Sequence, residues 1–269
     1  MRQDRGLSGR GHSTNFVGVP SGLLGSAAFN DYPLPLQISA TRETSRLLFQ
    51  QLADAGSAEQ SETLFTDYMN VVFGLDKTGP VDSPRRFRSS YLRLLKGWGY
   101  NANSREGAVL KGWVESRFGL LPTFHHEPLL RYSSPVWNHY LEEKMSSRFH
   151  NNSINIQLDL LYEFCQWQIT RWHFHRQRHI TLYRGINNFQ EHQLLREENG
   201  SHAIVRLNNL VSFSANRAIA DEFGDCILEA QVPIVKIVFF NELLAQNALK
   251  AEAEYLVIGG EYRVKVSYF

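Results

Sequence analysis

Apolar residues in the first two thirds of the chain recur at helical spacing. Between Ser39 and Leu75 they fall at Leu47, Leu48 and Leu52, then at Leu64, Tyr68, Val71 and Val72, with Gly56 and Ser57 dividing the run into two predicted helices. Ser83 followed by Pro84 reads as a helix start leading to Phe87, Tyr91, Leu94 and Leu95. Ser134 and Pro135 repeat that device ahead of Trp137, Tyr140 and Leu141. A further helix is predicted from about Ser153 to Phe174, with Ile154, Leu158, Leu161, Cys165, Ile169 and Trp172 on one stripe. Such aromatic stripes read as core rather than as a cofactor box.

Past residue 177 the period changes to two. Strands are predicted at 179–184, 202–206, 210–214, 226–232, 234–240, 253–258 and 261–268, most of them β-branched or aromatic. A short helix, Asn216 to Phe223, follows the third of these. Helices first and strands afterwards predict an α+β protein. Residues 1–30 are rich in Gly, Ser and Asn without a period and read as a flexible leader. The organisation expected is therefore leader 1–30, helical region 31–177 and β-core 178–269.

Composition narrows the function classes. The 269 residues are 43% hydrophobic and 20% charged, the balance of an ordinary globular protein with ample core. A formal net charge of +1 gives no basic field for nucleic acid and no acidic tail. No apolar run approaches the ~20 residues that a membrane-spanning helix needs. The basic start, Met1 to Gly6, lacks the apolar segment of a secretion signal. Cys165 and Cys226 read as reduced core thiols, and a cytoplasmic location is expected.

Candidate chemistry concentrates in the β-rich part. Glu252 and Glu254 stand one residue apart at the mouth of a β-forming segment, so both point to one face. Like charges side by side repel, which favours a role beside a cationic species. The alternative is an edge strand that shows charge to solvent. Upstream, Ile180 to Arg184 ends in a guanidinium followed by Gly185, and Leu210 to Ser214 places Ser212 and Ser214 on one side with Phe213 on the other. Arg184 taken alone also reads as a strand-end arginine paired to a surface carboxylate.

In that order, Arg, Ser-x-Ser and Glu-x-Glu resemble the arginine-specific mono-ADP-ribosyltransferases. The run Lys250 to Tyr262, Asn208 to Ser214 and the long helical first half together resemble the dinitrogenase reductase ADP-ribosyltransferases of nitrogen-fixing bacteria. The resemblance implies a split antiparallel β-core that binds NAD as co-substrate in a cleft, with the helical half supporting and covering it; because every candidate catalytic residue lies beyond residue 180, the helical half is expected to carry regulation and partner docking rather than chemistry. It also implies transfer of ADP-ribose to an arginine of the nitrogenase iron protein, turning nitrogen fixation off, and control by a PII-type signalling protein. An NAD glycohydrolase, a transferase of the same fold with another target and a non-catalytic NAD-binding module stay open beside it.

The resemblance distributes the roles. Arg184 would clamp the NAD diphosphate with its planar fork, and Gly185 would let the backbone come close. Ser212 would hold the catalytic glutamate and, with Ser214, shape the ribose pocket; Phe213 replaces the middle residue of a pattern that is often Ser-Thr-Ser. Phe223 would stack on nicotinamide, or else it is a buried residue capping its helix. Glu254 would stabilise the oxocarbenium-like ribose, and Glu252 would receive the acceptor guanidinium and decide between arginine and water. The turn Asn247 to Lys250 lacks the aromatic that related enzymes often carry there.

No metal is expected. His175 and His179 share i,i+4 spacing near His173, but Arg176 and Arg178 crowd them and no acid or cysteine joins them. His125, His126 and Glu127 are a weaker case of the same kind. The absence of a glycine-rich dinucleotide cradle argues against a dehydrogenase.

Overall fold

The computed structural model describes residues 15–75, 90–146, 152–174, 176–187, 192–198, 200–244 and 254–268. Helices dominate the first part: α1 (Ser21–Leu24), α2 (Ala27–Asp31), α3 (Thr41–Thr44), α4 (Arg46–Ala53), α5 (Ala58–Phe73), α6 (Tyr91–Tyr100), α7 (Arg105–Phe118), α8 (Pro135–Lys144) and α9 (Asn152–Gln168). A small hairpin, β1 (Phe124–His125) and β2 (Glu127–Pro128), separates α7 from α8. The second part holds β3 (His179–Ile186), β4 (Gln193–Glu197), β5 (His202–Ser214), α10 (Arg217–Asp221), β6 (Cys226–Pro233), β7 (Ile237–Phe240) and β8 (Glu254–Tyr268). The protein is α+β, with helices first and an antiparallel sheet of six strands after them. No helix among the described residues is long and apolar enough to cross a membrane.

Local chemistry explains most helix starts. Ser57, Ser104 and Ser134 cap α5, α7 and α8 by accepting the backbone N–H three residues on, and Pro135 occupies the first turn of α8. Gly56 and Ser57 divide α4 from α5 as expected. Ser83 and Pro84 lie outside the described residues, and α6 begins at Tyr91. On α9 the expected stripe is buried from Ile154 to Ile169. The chain then winds into a π-helical turn, Ile169–His173, and Trp172 is only partly covered. Leu47, Val71 and Val72, which belong to the helical spacing, are exposed, while Leu48, Leu52, Phe65 and Met69 are buried. Helix α7 has no clear sequence signature, because charge interrupts its apolar pattern.

The sheet runs β4-β5-β3-β6-β8-β7, and β5 also pairs with β8, so β5, β3, β6 and β8 close a ring. Segments expected as pairs of strands are continuous. Residues 202–214 form one strand with its register shifted between Leu207 and Leu210, and residues 254–268 form another opposite it. The two cross where Gly259 meets Asn208. A Cβ on Gly259 would stand 1.6 Å from the Asn208 carbonyl oxygen, so that crossing requires glycine. Residues 234–236 form a 3-10 turn rather than strand.

Residues 15–30, expected as part of a flexible leader, pack instead. Val17, Val19, Leu24 and Phe29 are buried, and Asn30 donates to the Glu261 carbonyl of β8 at 2.7 Å. Four apolar side chains and one long-range hydrogen bond outweigh the Gly- and Ser-rich composition. One cluster of buried side chains runs through both halves. Helix α9 ties them together, with Tyr162 donating to the Val235 carbonyl at 2.8 Å and Gln166 to those of Ile234 and Ile237 at 3.0 and 2.7 Å. Cys165 and Cys226 are free and buried.

Lys236 is fully buried between the rings of Phe29 and Tyr262, 5.3 and 5.1 Å from their centroids, and donates to the Gly259 carbonyl at 3.1 Å. Burial holds its pKa down to about 7 against the weaker pull of Glu261. Because the unfolded lysine titrates near 10.4, the unfolded chain binds more protons from pH 7 upward, and stability rises with pH through that window. Between pH 6 and 8 the wild type is expected to gain about 1–1.5 kcal/mol over Lys236→Met, read from paired denaturation curves. Parallel curves would show that Lys236 keeps an ordinary pKa.

Candidate active site

Strands β3 and β5 touch in register only at Tyr183 and Ser214 and otherwise part, while β5 continues beside β8. Arg184, Ser212, Ser214 and the backbone position of Glu254 meet near this divergence. Arg184 reaches across from β3, donating from a terminal nitrogen to the Ser212 carbonyl at 2.9 Å and from Nε to His192 Nε2 at 3.0 Å. Since a guanidinium only donates, His192 is neutral with its proton on Nδ1. Arg184 thus braces the mouth between the two strands.

Ser212 Oγ accepts from the indole N–H of Trp98 at 2.8 Å. Trp98 comes from α6 and is buried, and Lys111 Nζ lies 5.9 Å over its ring. The helical half therefore reaches into the site through an indole. Phe213 points the other way, into the core beside Tyr262. Ser214 stands opposite Glu254 in the ladder, and Ser212 opposite Leu256. Ser214 and Ser212 lie on one face of β5, directly opposite and one diagonal step from the Glu254 position. Ser214 Oγ also accepts from the Asn216 N–H at 3.0 Å, and Asn216 caps α10 through the Ala218 N–H at 2.9 Å. Arg184, Ser214 and Glu254 consequently occupy neighbouring positions on three adjoining strands, β3, β5 and β8.

Gly185 also meets a packing demand within the fold. A Cβ there would lie 1.9 Å from the Ala220 carbonyl oxygen, so glycine lets α10 close on β3. That contact sets the position of Phe223, which follows α10 and is 55% exposed. The exposure removes the reading of Phe223 as a buried helix cap. Glu252 and the Asn247 to Lys250 turn lie outside the described residues.

The histidines near residue 175 separate. His179 Nε2 meets the Asn30 carbonyl at 2.6 Å, and His173 packs edge-on to Phe240 with Glu242 4.0 Å away. His175 lies outside the described residues. Trp98 and His192 were not anticipated. Neither carries a local signal, since Trp98 reads as a core aromatic and contacts a residue 114 positions away.

The chain matches the family described as Dinitrogenase reductase ADP-ribosyltransferase (DRAT) over residues 14–266. It is 55% identical to the NAD(+)--dinitrogen-reductase ADP-D-ribosyltransferase of Rhodospirillum rubrum over 274 aligned positions, covering 100% of this chain and 99% of that protein. No solved structure matches it. A parted pair of strands carrying arginine and Ser-x-Ser, joined to a glutamate strand and matched from end to end, places the chain in the dinitrogenase reductase ADP-ribosyltransferase family.

Proposed function

We propose that this protein transfers ADP-ribose from NAD to an arginine of dinitrogenase reductase, the nitrogenase iron protein, and so turns nitrogen fixation off. The observation that carries this reading is the adjacency of Arg184, Ser214 and Glu254 across β3, β5 and β8, in a family whose relative in Rhodospirillum rubrum is named for that reaction. In the reaction the bond between ribose C1′ and the nicotinamide nitrogen breaks, and its electron pair leaves with nicotinamide. The ribose passes through an oxocarbenium-like cation. A guanidinium nitrogen of the acceptor then bonds to C1′ and gives up a proton.

Roles follow from charge and reach. Arg184 suits the diphosphate as well as the strand brace it already forms. Phe223 offers an exposed ring for nicotinamide to stack on. Ser212 and Ser214 shape the ribose pocket. Glu254 stabilises the cation, and Glu252 receives the guanidinium and takes its proton; a guanidinium with pKa above ~12 needs such a base. The proposal extends to a cytoplasmic setting, where NAD and the iron protein meet, and to control by a PII-type signalling protein.

The test is transfer of labelled ADP-ribose from NAD to purified dinitrogenase reductase, with the modified residue mapped. Label on an arginine supports the proposal. Nicotinamide release without label identifies a glycohydrolase, and neither product identifies a binding module; each would overturn it. Trp98→Phe keeps most of the packing but removes the donor to Ser212 Oγ. A neutral hydrogen bond is worth about 1 kcal/mol, so kcat/KM for NAD is expected to fall about fivefold with little change in melting temperature. Unchanged kinetics would show that this bond only supports the fold.

A further inference from the structure

Arg184 leaves β3 where that strand parts from β5, and two groups fix the direction of its guanidinium. One is the Ser212 carbonyl on β5, which accepts from a terminal nitrogen at 2.9 Å. The other is His192, whose Nε2 accepts from Arg184 Nε at 3.0 Å. His192 immediately precedes β4, and the pairing of Gln193 with Arg206 on β5 sets where it lies. It is only 3% exposed, so packing holds its ring, whereas Arg184 is half-buried at the mouth. A buried ring thus supports a partly open cation.

The two contacts act on one plane. All the N–H donors of a guanidinium lie in it, and with Nε and a terminal nitrogen both engaged it can no longer turn. An arginine that takes hold of a phosphate from a mobile state loses much of its rotamer freedom in doing so. Here that ordering belongs to the folded chain, before any ligand arrives.

The chemical type of these two acceptors matters as well. A carbonyl oxygen and an imidazole nitrogen are neutral, so neither of them offsets the charge on the guanidinium. A carboxylate in the place of His192 would bond more strongly and compete with the diphosphate for the same cation. Imidazole orients the fork without that competition. The role needs the tautomer with its proton on Nδ1, which the contact with Nε imposes.

We infer that His192 is a positioning residue for NAD binding: it holds the Arg184 guanidinium in the plane that meets the diphosphate, and it acts only through that arginine. The inference rests on the role proposed above for Arg184 and extends it to a residue eight positions along the chain, in a segment that no motif marks.

The test is calorimetric titration of the full chain with NAD, together with rates of ADP-ribose transfer to dinitrogenase reductase. His192→Phe keeps a ring of similar size and removes the acceptor. It is expected to weaken NAD binding about tenfold and to raise KM for NAD alike, with kcat within about twofold, because the diphosphate is held equally in ground and transition states. His192→Gln offers an acceptor oxygen near the place of Nε2 and should bring affinity back to within about threefold of the wild type. In an Arg184→Lys background, where a methylene replaces Nε, His192→Phe should have no further effect. A residue that merely supports the fold would lower the melting temperature in each variant and leave KM unmoved. Should His192→Phe fail to fold, His192→Leu takes its place in the same comparison. Unchanged NAD affinity on loss of the acceptor would overturn the inference, as would an equal loss in His192→Gln or a loss that persists in the Arg184→Lys background. A wild type that binds no NAD would overturn the transferase reading with it, whereas NAD binding that ignores His192 overturns this inference alone.

Discussion

Glu254→Gln is expected to lower both nicotinamide release and ADP-ribose transfer by about 10²–10³-fold while leaving the fold intact. The amide keeps the shape of the acid and removes the charge that would face the ribose cation. Its place at the start of β8, in register with Ser214, puts position 254 beside the cleft where β3 and β5 part. Glu252→Gln is expected to differ in kind. Water needs little help once the cation forms, so hydrolysis should persist in part while transfer to the guanidinium is lost. Nicotinamide release measured alongside labelled incorporation separates the two acids. Full protein modification by Glu252→Gln, with hydrolysis retained by Glu254→Gln, would reverse the assignment.

Gly185→Ala is expected to destabilise the protein by about 3 kcal/mol or more, an effect at the upper end for a single added methyl. The new Cβ would fall 1.9 Å from the Ala220 carbonyl oxygen and 3.0 Å from its carbon. Both contacts are backbone, so no flexible side chain can yield, and α10 must move off β3. Phe223 moves with it. At about 2–4 °C per kcal/mol for a chain near this size, the melting temperature should drop by roughly 6–12 °C. A Gly185→Ala variant that melts as the wild type does but no longer binds NAD would mean that the glycine serves ligand approach rather than helix packing.

Much of this architecture is legible in the sequence. The change of period at residue 177 reports which segments bury one stripe and which bury alternate side chains, and that distinction is local. The helix starts at Ser57 and Ser134 are equally readable, because a capping hydroxyl meets an N–H three residues away. Arg184, Ser212, Ser214 and the two glutamates can be proposed as candidates for the same reason, since each motif is only a few residues long.

Contacts between distant segments are not readable in this way. Gly and Ser content describes an isolated chain, which is why residues 15–30 look like a leader, whereas Leu24 and Phe29 are buried only when the rest of the protein is present. Strands β5 and β8 each read as two, because Asn208–Asn209 and Gly259–Gly260 look like turns until each is seen to accommodate the other.

The sequence by itself determined the α+β order of elements and the identity of the short motifs, since periodicity, caps and alternation act within a few residues. Only the tertiary structure decided that Trp98 holds Ser212, that Ser214 rather than Ser212 stands opposite Glu254, that Gly185 makes room for α10, and that His192 meets Arg184. Each of these depends on strand register or on helices crossing. Both are set by the simultaneous packing of the whole core, which no window along the chain contains.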